Sequence, residues 1–188
     1  DYGTDGVRWY LLRDMPTGSD ASYTPERFQA RYDEIANVFG NLANRAISMI
    51  DKFRDGAIPE AAGDGLDAEI ASTLSEVAEH MDGLRVHDAL AAAMDLARTA
   101  NGYVDSREPW AQAKDVSRAG DLDETLASLA RVLTVLTALF QPVTPHKMMD
   151  LAHQLGLESV PTLDQARSIP LGGRRVTKGA PLFPRPDQ

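Results

Sequence analysis

Asn41 and Arg45 lie four residues apart in a stretch without proline, so a helix would carry both on one face, beside an apolar seam. A carboxamide offers a donor and an acceptor together, and a guanidinium offers a planar fork. Reading the edge of an unpaired base needs both kinds of group. The same two side chains would also suit bonds to each other or to a neighbouring helix. Trp110 follows a proline in the polar run REPWAQAK, where its ring is either a partly exposed stacking platform or a core anchor. Trp9 is followed directly by Tyr10, Leu11 and Leu12 and reads as packing.

Other chemistry lacks its usual residues. The sequence has no P-loop, no glycine-rich dinucleotide fingerprint, no HExxH and no GxSxG, and it yields no catalytic candidate. Cysteine is absent, which removes disulfides and thiolate metal sites. His80 and His87 flank a turn, and His146 and His153 sit seven apart, too far for one ion without a third ligand, so no metal site is expected. The net charge of -9 disfavours general binding to phosphate backbones, and any RNA contact must be local. No apolar run approaches the roughly 20 residues of a membrane span, and DYGTDGVRWY is not a secretory signal, so a cytoplasmic location is expected. The chain starts without methionine, inside what reads as a domain, and is treated as a fragment.

Helices must position these residues. Thr4 and Asp5 are expected to cap a short helix ending near Leu12, before the breakers PTGSD. Thr24-Pro25 opens a long helix whose seam is Phe28, Tyr32, Ile35, Phe39, Leu42, Ala46, Met49 and Phe53, with Asp55-Gly56 as its stop. AAGDG, within an acidic run from Asp55 to Glu69, reads as a solvated connection. Ile70, Leu74, Val77 and Met81 mark the next helix, and Asp82-Gly83 turns it into an antiparallel partner that starts near Arg85 and yields at Glu108, before Pro109. A leucine-rich helix over about 122–140 is apolar on more than one face and should be central. Thr144-Pro145 repeats the capping signature, Gly156 ends a short helix, and the tail is mostly loop anchored by Leu182 and Phe183. The expected fold class is all-α: a bundle of about five main helices with an irregular C-terminal tail.

Four blocks in order carry a resemblance: YGTDGVRWYLL at 2–12, RFQARYDEIANVFGNLANRAISMI at 27–50, NGYVDSREPWAQAKD at 101–115 and PLFPR at 181–185. Together they resemble the anticodon-binding part of methionyl-tRNA synthetases of bacterial type. The first block is shared by several class I synthetases; Asn41, Arg45 and Trp110 match the family's anticodon-recognition set. The resemblance implies that Trp110 stacks on an anticodon base while Asn41 and Arg45 bond to base edges, chiefly those of the first anticodon base, cytosine. Asn44, Pro109 and Lys114 are secondary candidates for shaping the pocket or touching phosphate. Gly6 departs from the alanine usual in related class I enzymes.

It further implies a connector helix over 1–20 following a catalytic domain, an anticodon-binding bundle over 21–170, and a tail over 171–188 that runs back toward the catalytic domain and is loose without it. The parent would be a methionine-tRNA ligase reading CAU, with ATP, magnesium and methionine bound in the catalytic domain and this part inactive alone. Its partners would be methionine tRNA and that domain, with no membrane. Two alternatives are a non-catalytic helical scaffold that docks a protein and the anticodon domain of another class I synthetase.

Overall fold

In the computed structural model, residues 2–184 are described, and among them every regular element is helical. The Thr24 hydroxyl accepts the Arg27 N–H at 3.2 Å and Pro25 takes the first helical position, the arrangement expected at a helix start. From there α2 (Pro25–Glu34) passes through a π-helical turn (Ile35–Gly40) into α3 (Asn41–Arg54). The wide turn alters the seam. Phe28, Tyr32, Ile35, Phe39 and Leu42 are buried as expected, but beyond it the core face is Ala43, Ala46, Ile47 and Ile50, with Met49 and Phe53 at its margin. A strict four-three spacing assumes uniform winding, and the wide turn absorbs part of a residue.

A pair of antiparallel helices follows, α4 (Asp67–Asp82) and α5 (Val86–Arg107), then the short α6 (Pro109–Gln112). The turn between α4 and α5 falls at Gly83, where expected, and is completed by Leu84 in a left-handed conformation at φ 57°. At the centre lies α7 (Ala119–Phe140), buried all round from Thr125 to Phe140 except at Arg131. Its buried Thr134 and Thr137 hydroxyls donate to the carbonyls of Ala130 and Leu133 at 2.8 and 2.7 Å, so they enter the core without a lost hydrogen bond.

The first helix, α1 (Gly3–Asp14), is longer than expected, and Tyr2 rather than Thr4 or Asp5 precedes it. Asp5 instead reaches α8 (Pro145–Gln154), where it accepts the Lys147 N–H at 2.8 Å and contacts His146 Nδ1 at 3.0 Å. This is a helix start capped from a distant element, which local sequence cannot reveal. Thr144 turns its hydroxyl back to the Phe140 carbonyl at 3.3 Å and does not cap α8. Gly6 has a packing reason: a Cβ there would stand 3.0 Å from the Tyr32 ring.

Two segments read as connection and loop are held by specific bonds among the described residues. The AAGDG segment is gathered by Glu124, whose carboxylate accepts the N–H groups of Gly63, Asp64 and Gly65 at 3.0, 2.9 and 3.3 Å. The tail holds a further helix, α9 (Leu163–Ser168), opened by a reciprocal cap between Thr162 and Gln165. Beyond it the chain is clipped by backbone bonds: Ile58 N–H to the Arg174 carbonyl at 2.9 Å and Val176 N–H to that of Gly56 at 2.8 Å. Leu182 and Phe183 are buried, as expected of anchors, and Phe183 packs on Tyr32 and Phe39. Arg185 of PLFPR lies outside the described residues.

Candidate nucleic-acid interface

Asn41 opens α3 immediately after the wide turn and is exposed, as is Asn44 beside it. Arg45, one turn on, is half-buried. Its Nη2 pairs with Asp105 Oδ1 at 2.7 Å and its Nη1 donates to Asn101 Oδ1 at 3.3 Å. Both partners are on α5. In the free chain, then, the guanidinium rests on a neighbouring helix while its edge stays at the surface, so bonding to a neighbour and facing solvent apply together. The pair with Asp105 ties this flank of α3 to the last turns of α5.

One turn beyond Asp105 the chain breaks direction. Glu108 adopts a left-handed conformation at φ 50°, since proline follows and the helix cannot continue. Pro109 is buried at the first position of α6 and fixes the corner, which leaves Trp110 42% exposed while Trp9 is wholly buried. Trp9 donates its indole N–H to the Arg31 carbonyl at 2.8 Å and meets the Phe140 ring edge-on. Trp110 thus takes the exposed one of its two sequence readings. Lys114 is exposed just past the corner.

Asn37, Asn41 and Asn44 line an open cleft of about 420 Å³ whose other side is formed by Pro181, Leu182 and Phe183. Sequence reading missed Asn37, although its spacing of four and seven from Asn41 and Asn44 was a visible signal. It also missed Asn101 and Asp105, which sit four apart on α5 in the block that carried the resemblance. Their role depends on a contact with α3, which no local spacing announces.

Two carboxylates away from this surface are held by internal partners. Burial pushes the Asp14 carboxyl up, but hydrogen bonds from Arg31 and Arg27 outweigh that and hold it below the usual range. Burial likewise raises Glu124, and the N–H groups of residues 63–65 with the Ser128 hydroxyl more than reverse it. Among the described residues no three His, Cys, Asp or Glu side chains come together to hold a metal, nor is any helix long and apolar enough to cross a membrane.

An all-α bundle with an exposed ring at a proline corner and polar groups on a helix flank defines a class only broadly, that of helical domains whose surface offers the groups that can take up unpaired bases. Comparison with known proteins is more particular. The pattern of the anticodon-binding domain of tRNA ligases matches residues 65–171, and that of class I tRNA synthetases (M) matches residues 1–47. The chain belongs to the anticodon-binding domain family of tRNA ligases.

Its relatives include the methionine-tRNA ligase of Oceanobacillus iheyensis, 38% identical over 99% of this chain and 29% of that protein, and that of Lactiplantibacillus plantarum, 39% identical over 99% and 29%. Among solved structures, free-state methionyl-tRNA synthetase of Mycobacterium tuberculosis matches with a TM-score of 0.91 and 31% identity, over 100% of this chain and 40% of that one. The same enzyme in complex with methionyl-adenylate matches at 0.88, over 96% and 37%. The chain therefore spans less than half the length of these relatives. The all-α expectation and the resemblance to the anticodon-binding part of methionyl-tRNA synthetases are both borne out.

Proposed function

We propose that this chain reads the CAU anticodon of methionine tRNAs on behalf of a methionine-tRNA ligase. In this reading Trp110 stacks on an unpaired base of the anticodon loop, and Asn41 and Arg45 bond to base edges, those of the first base above all. Asn44 and Pro109 shape the surface and Lys114 touches phosphate. The observation that carries the reading is the exposed Trp110 at the Glu108–Pro109 corner, one turn past the residue that holds Arg45. Membership of the family and likeness to methionine-specific relatives support the choice of tRNA.

The division of labour follows. Residues 1–20 connect to a catalytic domain that activates methionine with ATP and magnesium, 21–170 form the reading bundle, and 171–188 return toward the catalytic domain. This chain supplies recognition only, in the cytoplasm, with the tRNA and the catalytic domain as its partners. A net charge of -9 fits a reader that works by stacking and hydrogen bonds and leaves phosphate affinity to other parts.

The test is aminoacylation kinetics of the full-length enzyme carrying this chain. Trp110→Ala removes about 1–3 kcal/mol of stacking, so kcat/KM for methionine tRNA falls by roughly one to two orders of magnitude while methionine activation by ATP is unchanged. Normal charging by the variant would remove Trp110 from the site.

A further inference from the structure

We infer that Asn101 is a positioning residue for Arg45, and that it couples the direction of the guanidinium to the π-helical turn before α3. The inference rests on the reading of Arg45 as a base-edge donor. Asn101 uses its whole carboxamide. Its Nδ2 donates to the Val38 carbonyl at 3.1 Å and to the Ala97 carbonyl at 3.0 Å, and its Oδ1 accepts from Arg45 Nη1 at 3.3 Å. Only one orientation of the amide works. Turned over, it would set its oxygen against two carbonyls and its NH2 against a cation.

Val38 lies inside the wide turn, where backbone bonding departs from the helical pattern, and Asn101 supplies a donor to its carbonyl. The same side chain thereby fixes α5 against the point where α3 changes direction, and α3 carries Asn41 and Arg45. Arg45 is then held at two points. Asp105 alone would be a weak guide, because its carboxylate is 66% exposed and an exposed ion pair leaves a long side chain free to swing. The second bond, from Nη1 to a half-buried amide that is itself fixed at both donors, sets the plane of the fork. The remaining N–H groups of the guanidinium are thereby aimed before any base arrives, which favours one edge over another instead of merely adding affinity.

The test is fluorescence anisotropy with labelled anticodon stem-loops bearing CAU or a changed first base, on this chain, Asn101→Ala, Arg45→Ala and the double variant. Thermal melting in parallel reads any structural cost. Asn101→Ala is expected to weaken CAU binding about tenfold and to lower the preference for CAU. In the Arg45→Ala background the same change should alter affinity less than about twofold, the non-additivity of two residues acting as one unit. If preference is kept in Asn101→Ala, or the loss is equal in both backgrounds, Asn101 does not act through Arg45 and the proposal fails while the anticodon reading stands. A parent chain without preference for CAU would overturn both. Should Asn101→Ala not fold, Asn101→Gln decides in the same way, since it keeps both groups but displaces them by one methylene.

Discussion

The two tryptophans sit in regions built on opposite principles. Around Trp9 every group is closed off: the ring is wholly buried, its N–H is bonded to Arg31, and Phe140, which it meets edge-on, meets Phe39 in turn. Around Trp110 the backbone is fixed by Glu108 and Pro109, yet the ring is left 42% open. The first region spends its aromatic surface on folding. The second holds the backbone firmly so that a ring can stay available, which is what a stacking site needs.

The contrast is broken most directly by truncating each ring. Trp9→Ala should cost about 3–5 kcal/mol of stability, with loss of a cooperative transition at ordinary temperatures in urea unfolding. Trp110→Ala should shift the same curve by about 0.5 kcal/mol or less. Comparable losses from the two would mean that Trp110 is a packing residue.

A second sharpening concerns the segment 63–65, whose fixed shape rests on Glu124. Because the folded-state carboxyl is held below the ordinary glutamate value, its contribution is complete above that value and is lost as pH falls through the lowered one. Glu124→Gln should therefore melt below the parent at pH 7, and the gap should close as pH is lowered through the glutamate range. A gap independent of pH would show that the charge is not what holds the segment. An effect of opposite sign is expected at the corner itself. Glu108→Gly relieves a left-handed residue at φ 50° and should stabilise by up to about 1 kcal/mol, partly offset by the freedom glycine gains when unfolded.

What was legible in the sequence follows the range of the interactions. The bundle, the start at Thr24-Pro25 and the central position of α7 rest on periodicity and local caps, and all could be read. Asp5 at the start of α8, Glu124 on residues 63–65 and Asn101 on Val38 join residues distant in sequence, and none could. The helix α9 was missed because its reciprocal cap opens only six residues amid prolines and glycines. At the candidate site, Asn41, Arg45 and Trp110 were visible as residue types at a spacing. The anchoring of Arg45 on α5 was not, because it depends on how α3 leaves the wide turn, a change of winding that the apolar pattern does not encode.

The central claim is that an exposed Trp110 and a prepositioned Arg45 together read an anticodon. It is tested most directly by following Trp110 fluorescence while this chain is titrated with a CAU stem-loop and with one whose first anticodon base is changed; Trp9, wholly buried, provides a constant background. The account predicts stronger quenching and tighter binding with CAU, and loss of that preference in Asn41→Ala and Arg45→Ala. Equal responses to the two RNAs, or a preference that survives both substitutions, would contradict it.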